Sequence, residues 1–153
     1  VVVNLQASTC VELAKHHNRV AFKEASGNLQ QIMEILRDKP SDFDVLSGDD
    51  SITQPMMALG AKGVISVAAN GYPDLFCKMV TSMLNNDADT ALSLHYKTLK
   101  MNNLIFADGN PAGIKYLMSL QKICKNILRL PLVGVNDNVK NDLEKELSVM
   151  YNR

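Results

Sequence analysis

A lysine at the end of a short apolar run is the residue of this chain best suited to covalent chemistry. Residues 20–27 read VAFKEASG, so Lys23 ends a predicted strand and a turn of small residues follows it. A lysine that is buried beside apolar neighbours has a lowered pKa, and a neutral amine can attack a ketone and form a Schiff base. Strand alternation turns Ala21 and Lys23 to one face of the strand. The pattern predicts a class I aldolase or lyase of the pyruvate type, and a solvated surface lysine is the alternative.

Two further turns follow predicted strands and add polar groups and glycines. They are SGDD at 47–50 and ANG at 69–71. The carboxyl ends of parallel strands meet at one rim, where barrel enzymes place their active sites, so we expect Lys23, Gly48 and Asn70 to share a small-molecule pocket. Gly48 would let a backbone amide approach a substrate carboxylate. The two aspartates could suit a hard cation, but helix capping explains them better, and no metal site is predicted.

The elements that must position these residues form a strand–helix pattern that repeats three times and ends in a run of helices. Near-continuous apolar strands separated by helices predict an α/β fold with a parallel sheet and right-handed crossovers. The predicted strands are 20–23, 43–46 and 63–67, and 1–5 could be the tail of another strand. Segment 128–135 contains Pro131 and is predicted to be an extended packing segment. The predicted helices cover 8–16, 28–39, 52–59, 73–84, 87–106, 111–120 and 136–150.

Composition sets limits on the class of protein. The chain has 153 residues, 46% of them hydrophobic and only 5% aromatic, so one core of aliphatic residues and methionine is expected. Sixteen basic and sixteen acidic residues cancel, which gives no net attraction for nucleic acid or an anionic membrane. No apolar run approaches the length of a membrane span. The three cysteines are far apart, which predicts a reducing cytoplasm, and Cys77 and Cys124 are expected in helix cores.

Several motifs together carry a resemblance to a known family. They are FKEASG at 22–27, LSGDD at 46–50, LGAKGVISV at 59–67, the Asn110-Pro111 pair and LRLPLV at 128–133. In order and spacing the chain resembles the N-acetylneuraminate lyase and dihydrodipicolinate synthase superfamily. The SGDD turn resembles the synthase branch more than the lyase branch, and the resemblance covers essentially the whole chain.

This resemblance implies a fold, a reaction and site residues. The fold would be a (β/α)8 barrel with extra C-terminal helices, usually a homotetramer. The reaction would condense pyruvate with L-aspartate-4-semialdehyde in lysine biosynthesis. Lys23 matches the Schiff-base lysine, so pyruvate would be held as a covalent imine and no separate cofactor would be needed. Ile65 matches the position whose backbone meets pyruvate, and Gly48 lies where the second substrate is expected to pass.

The resemblance also implies that the chain corresponds to the C-terminal half of such a barrel. Val1-Val2 stands where the family has Thr-Gly, and the family's catalytic tyrosine, substrate-binding arginine and paired threonines have no counterpart here. Three or four strands cannot close a barrel of eight, and they leave open sheet edges. We therefore expect a half-barrel over 1–85 and a helical region packed on it over 86–153, inactive alone. The alternatives are another 2-keto acid aldolase of the superfamily, and a non-catalytic half-barrel that pairs with another chain.

Overall fold

The structure is a computed structural model that describes residues 3–151 as an α/β arrangement. Its sheet has three parallel strands in the order β1-β2-β3. The strands are β1 (Ala21–Glu24), β2 (Asp44–Ser47) and β3 (Gly63–Val64). The helices are α1 (Ala7–Ala14), α2 (Leu29–Asp38), α3 (Thr53–Ala58), α4 (Pro73–Leu84), α5 (Ala88–Leu104), α6 (Ala112–Leu120) and α7 (Asp137–Tyr151), with 3₁₀ turns at Asp50–Ile52 and Ala68–Asn70.

One face of the sheet packs on helices, as the alternation of the strands predicts. Val45 is fully buried and Phe22 packs beside it in a cluster that α1, α2 and α3 complete. Lys23 has the opposite orientation and is exposed. Within residues 3–151, β1 and β3 each pair with β2 alone, so each has one unpaired edge.

A larger hydrophobic cluster joins α4, α5, α6 and α7. Its fully buried members include Tyr72, Phe76, Met101, Leu117 and Leu143, so methionine and aliphatic side chains fill most of it, as predicted. Val80 and Met83 of α4 contact both clusters. The division of the chain between residues 85 and 86 stays a prediction. None of the helices within 3–151 combines the length and the apolarity that crossing a membrane requires.

Helix caps account for the boundaries that the sequence predicts well. The Asn28 side chain accepts hydrogen bonds from the amides of Gln30 and Gln31 at the start of α2. Asp87 accepts from Thr90 at the start of α5, and Asn136 Oδ1 accepts from the amide of Val139 in the first turn of α7. Pro73 opens α4 as predicted. These residues satisfy amides that the first helical turn leaves without an intrahelical acceptor.

Three predicted elements differ from the structure near the amino-terminal end and around β3. Residues 3–5 form no strand, and Val1 and Val2 lie outside the described residues. Helix α1 begins at Ala7 and ends at Ala14, two residues short of the predicted end, and it has no side-chain cap. Strand β3 ends at Val64 rather than at residue 67, because the Asp50 carboxylate accepts hydrogen bonds from the amides of Val67 and Ala68 and the chain turns there.

Three further predictions fail in the carboxyl-terminal half. Cys77 is exposed on α4, and Cys124 lies in a bend rather than in a helix core. Helix α6 begins at Ala112 rather than at residue 111, and it has no side-chain cap. Segment 128–135 forms no strand, as predicted, but a turn interrupts it at residues 130–131, and only Leu128 and Val135 at its two ends pack on the core. Leu130 and Val133 are 82% and 72% exposed.

Candidate active site at the carboxyl end of the sheet

Lys23 lies near the carboxyl end of β1, on the face of the sheet that the helices leave uncovered. Its register partner is Leu46 on β2, and Leu46 in turn pairs with Gly63 on β3. The side chain of Lys23 is exposed, whereas Glu24 after it is buried. Strand β1 ends at Glu24, one residue later than predicted, so Lys23 is its second-last residue. The apolar surroundings that the sequence suggests for this lysine are not supplied by residues 3–151.

An open groove of about 560 Å³ runs past Lys23 on the β1 side of the sheet. A space of this size lies within the range of small-molecule sites. The wall includes the turn that follows β1, where Glu24 Oε1 accepts a 2.6 Å hydrogen bond from the amide of Ser26. Glu24 thus shapes the turn beside the lysine. The lining residues besides Lys23 are Val3, Asn4, Leu5, Glu24, Ala25, Ser26 and Asn28.

Gly48 directly follows β2 and lies against the end of β1. Its amide donates a 2.7 Å hydrogen bond to the carbonyl oxygen of Glu24. The amide of Asp49 donates to Ser47 Oγ. Both amides of this turn are therefore engaged within the protein, and neither is free for the substrate carboxylate that the sequence suggests for Gly48.

Ile65 follows β3 on the far side of the sheet from β1. Its amide donates a 2.9 Å hydrogen bond to Ser47 O, which extends the pairing of β2 and β3 by one residue. The side chain is 51% exposed. The carbonyl oxygen of Ile65 is therefore the backbone group that remains to meet a ligand. With neighbouring strands about 4.8 Å apart, the backbones of β1 and β3 are separated by about 10 Å.

The two aspartates that follow Gly48 have different roles. Asp49 caps the 3₁₀ turn at Asp50–Ile52, as predicted, and its Oδ1 accepts from the amide of Ser51 at 2.9 Å. Asp50 is not a cap. Its buried Oδ2 accepts from the amides of Val67 and Ala68 at 3.0 and 3.1 Å, and its buried Oδ1 has no hydrogen-bond partner within residues 3–151. Asp50 therefore fastens the turn after β2 to the turn after β3.

A second groove beside Gly48 brings in residues that the sequence did not single out. It has a volume of about 370 Å³ and extends from the turn after β2 to the carboxyl end of α5. In the sequence, the adjacent Asn102 and Asn103 near the end of α5 are the feature that could have indicated this groove. The lining residues are Ala25, Gly48, Asp49, Ser51, Asn102, Asn103, Phe106 and Ala107. Asn70, which the sequence places on the rim, is exposed, and its amide donates to Val67 O within its own turn.

A buried polar chain supports this second groove from below. The Tyr72 hydroxyl donates a 2.5 Å hydrogen bond to Asn102 Oδ1, and Asn102 Nδ2 donates to Asp50 O at 3.4 Å. Burial raises the pKa of Tyr72, and the nearby charge of Asp50 raises it further. Tyr72 therefore stays a neutral hydrogen-bond donor. No group of three or more histidine, cysteine, aspartate or glutamate side chains within 3–151 could hold a metal ion.

Comparison with known proteins identifies the family of the chain. The model of the dihydrodipicolinate synthetase family matches residues 1–150. The 4-hydroxy-tetrahydrodipicolinate synthase of Phocaeicola vulgatus is 47% identical over 132 residues, which cover 86% of this chain and 44% of that protein. The synthase of the same name from Flavobacterium psychrophilum is 43% identical over 149 residues, covering 95% of this chain and 51% of that protein.

A solved structure extends the match to the fold. The crystal structure of dihydrodipicolinate synthase from Aquifex aeolicus superposes with a TM-score of 0.89 at 38% identity, over 96% of this chain and 50% of that chain. The chain thus spans about half the length of the relatives it matches. Its three parallel strands and the helices after them are part of a (β/α)8 barrel with extra C-terminal helices, as the sequence predicts.

Proposed function

The chain belongs to the dihydrodipicolinate synthetase family, and we propose that it carries the Schiff-base lysine of a 4-hydroxy-tetrahydrodipicolinate synthase. The observation that supports this most directly is the position of Lys23. It lies near the carboxyl end of a parallel strand, on the uncovered face of the sheet, next to a groove of small-molecule size. The substrates would be pyruvate and L-aspartate-4-semialdehyde, and no separate cofactor would take part.

In this proposal the amine of Lys23 adds to the ketone carbon of pyruvate and water leaves, so that a C=N bond replaces the C=O bond. The protonated imine withdraws electrons from the neighbouring methyl carbon, which gives up a proton to water or to a base of the remaining half of the barrel. The resulting enamine carbon forms a bond to the aldehyde carbon of the second substrate, and the aldehyde oxygen takes up a proton and becomes a hydroxyl group. The carbonyl oxygen of Ile65 would face the bound pyruvate. Gly48 would border the path of the aldehyde, in the groove that leads to α5.

We further propose that residues 3–151 need the remaining half of the barrel for turnover. Imine formation needs a neutral amine, and a site closed to water favours that form. Here Lys23 is exposed, and β1 and β3 have unpaired edges within the described residues. The complete protein would be a cytoplasmic homo-oligomer, a tetramer by resemblance. The absence of any disulfide among Cys10, Cys77 and Cys124 is compatible with a reducing compartment.

The unpaired strand edges also favour a second candidate function. A half-barrel with exposed edges could serve as a non-catalytic module that pairs with another chain. It would have the same need for a partner, but Lys23 would not react with a keto acid in the assembled form. The remaining alternative is an aldolase reaction of the same lysine with another aldehyde as second substrate. Comparing turnover with aspartate semialdehyde and with sugar-derived aldehydes distinguishes this reaction from the proposed synthase reaction.

Borohydride trapping tests the proposal. The chain is incubated with pyruvate and sodium borohydride, alone and after fusion to the first half of the Phocaeicola vulgatus synthase. Peptide mapping by mass spectrometry then locates the adduct. We expect one reduced pyruvate on Lys23 of the fusion, and none after Lys23→Arg. Lys62→Arg is the matched control, since Lys62 is an exposed lysine just before β3. An adduct that is absent from the fusion, or unchanged in Lys23→Arg, would refute the Schiff-base role.

A further inference from the structure

The space above Gly48 is occupied by the side chain of Lys23. A Cβ atom built on Gly48 would lie 2.8 Å from Lys23 Cε and 3.0 Å from Lys23 Cγ. It would also lie 2.8 Å from the Cβ of Ala25. Carbon atoms in contact prefer separations of about 3.5–4.0 Å. The aliphatic part of Lys23 therefore lies along the bare Cα of Gly48, close to it at two points.

This contact, rather than the backbone conformation, explains why a residue without a side chain stands at position 48. Gly48 does not have a φ in the left-handed region, where glycine is favoured, in contrast to Gly27 with φ +72°. The backbone at Gly48 is also held in place, because its amide donates to Glu24 O at 2.7 Å and β2 is paired on both sides. An added methyl group could be accommodated only if both Lys23 and Ala25 moved away from it.

The contact limits an otherwise mobile side chain. Lys23 is exposed, and a free lysine side chain has a conformational entropy worth about 2 kcal/mol on folding scales. Packing of its Cγ and Cε against Gly48 restricts the directions in which the amine can point. Since reaction rates fall steeply when a reacting group is misplaced by even an ångström, this restriction matters for a lysine that must attack a ketone.

We propose that Gly48 is a positioning residue for the amine of Lys23: the missing side chain at position 48 forms a slot that holds the lysine stem. This inference rests on the proposed Schiff-base role of Lys23 and adds a role for Gly48 that does not involve contact with the second substrate. Gly48→Ala should therefore slow a step that takes place before any aldehyde binds.

The test measures the rate of borohydride-trapped imine formation with pyruvate alone, in the fusion protein described above. We expect Gly48→Ala to slow trapping on Lys23 by about tenfold to a hundredfold. Gly134→Ala is the matched control, because no atom lies within 4 Å of a Cβ built on Gly134 and its φ is outside the left-handed region. Trapping in Gly48→Ala at the rate of the unmodified fusion would overturn the inference and leave the Schiff-base role intact.

A double variant separates the lysine contact from general distortion of the turn. Ala25→Gly removes the other atom that a Cβ at position 48 would meet. If Gly48→Ala acts through Lys23, then Ala25→Gly/Gly48→Ala stays slow relative to Ala25→Gly alone. Recovery to the rate of Ala25→Gly would show that the effect passes through Ala25 and would overturn the proposal.

A second readout does not depend on imine chemistry. The acetylation rates of Lys23 and Lys62 by an active ester are compared by peptide mapping in the 153-residue chain. We expect Gly48→Ala to change the rate at Lys23 and leave the rate at Lys62 unchanged. If the unmodified fusion forms no imine, the Schiff-base role of Lys23 is refuted, and the ratio of the acetylation rates of Lys23 and Lys62 tests the positioning role of Gly48 by itself. A ratio that changes in Gly48→Ala supports that role, and an unchanged ratio overturns it.

Discussion

Replacement of Asp50 by alanine should destabilise the carboxyl rim of the sheet far more than the same change at Asp49. The two aspartates are adjacent, but only Asp50 joins two turns, through hydrogen bonds from the amides of Val67 and Ala68. Asp49 accepts from Ser51 within its own turn. Asp50 is 2% exposed, and its removal leaves two amides without an acceptor, that of Ala68 in a buried place and that of Val67 in a partly buried one.

The expected magnitude follows from the number of bonds lost. Each buried donor left without an acceptor costs about 1–3 kcal/mol. Asp50→Ala also removes the buried Oδ1 of Asp50, which has no hydrogen-bond partner within residues 3–151, and the removal of this unpaired atom offsets part of the loss. We expect Asp50→Ala to lower the free energy of unfolding by about 3 kcal/mol, and Asp49→Ala to lower it by about 1 kcal/mol, the usual effect of a lost cap. Asp50→Asn keeps one acceptor oxygen and should lie between the two.

Urea unfolding followed by far-ultraviolet circular dichroism gives these differences. For a chain of this size the alanine variant at position 50 should also melt about 6–12 °C lower. Hydrogen exchange should accelerate at the amides of Val67 and Ala68 in that variant and not in Asp49→Ala. Equal losses of stability at the two positions, with unchanged exchange at both amides, would refute the role assigned to Asp50.

Two further predictions concern the helices. A Cβ on Gly113 would lie 2.2 Å from the carbonyl oxygen of Ile105, a backbone atom that cannot rotate away as a side chain can. Gly113→Ala should therefore lower the free energy of unfolding by about 2 kcal/mol. In the same urea titration, Gly134→Ala should change the free energy of unfolding little, because no atom lies within 4 Å of its added Cβ. Burial lowers the pKa of His95, and its Nδ1 has no partner within residues 3–151. The folded state therefore binds a proton at His95 less readily than the unfolded state does. The contribution of the neutral ring to the free energy of unfolding is fully present above pH 6.5, and it is lost as the pH falls from there toward the lowered pKa of the folded state. His95→Leu should flatten that part of the curve of unfolding free energy against pH, and a curve of unchanged slope would contradict the assignment.

The sequence predicted most of what local rules control. Asn28, Pro73, Asp87 and Asn136 mark helix starts because capping depends on residues that are close in the chain. The position of Lys23 near a strand end follows from apolar periodicity in the same way. Family resemblance then supplied the barrel, which three strands alone could not define.

The sequence could not predict features that depend on contacts across the fold. Strand β3 is short because Asp50, seventeen residues earlier, captures the amide of Val67. The sequence predicts a ligand beside Gly48 but carries no signal that the side chain of Lys23 also lies against this glycine. Both features depend on the spacing of neighbouring strands, which no local pattern reports.

The hydrogen-bonded tyrosine below the second groove makes the chain its own optical reporter. The sequence contains four tyrosines and no tryptophan. Tyr72 is fully buried and bonded to Asn102, whereas Tyr96 and Tyr151 are exposed. A fixed aromatic side chain gives near-ultraviolet circular dichroism, and that signal disappears when tertiary packing loosens while helices persist. The near-ultraviolet band therefore reports, without any label, on the tertiary packing around Tyr72 and around the other two hydrogen-bonded tyrosines, Tyr116 and Tyr151.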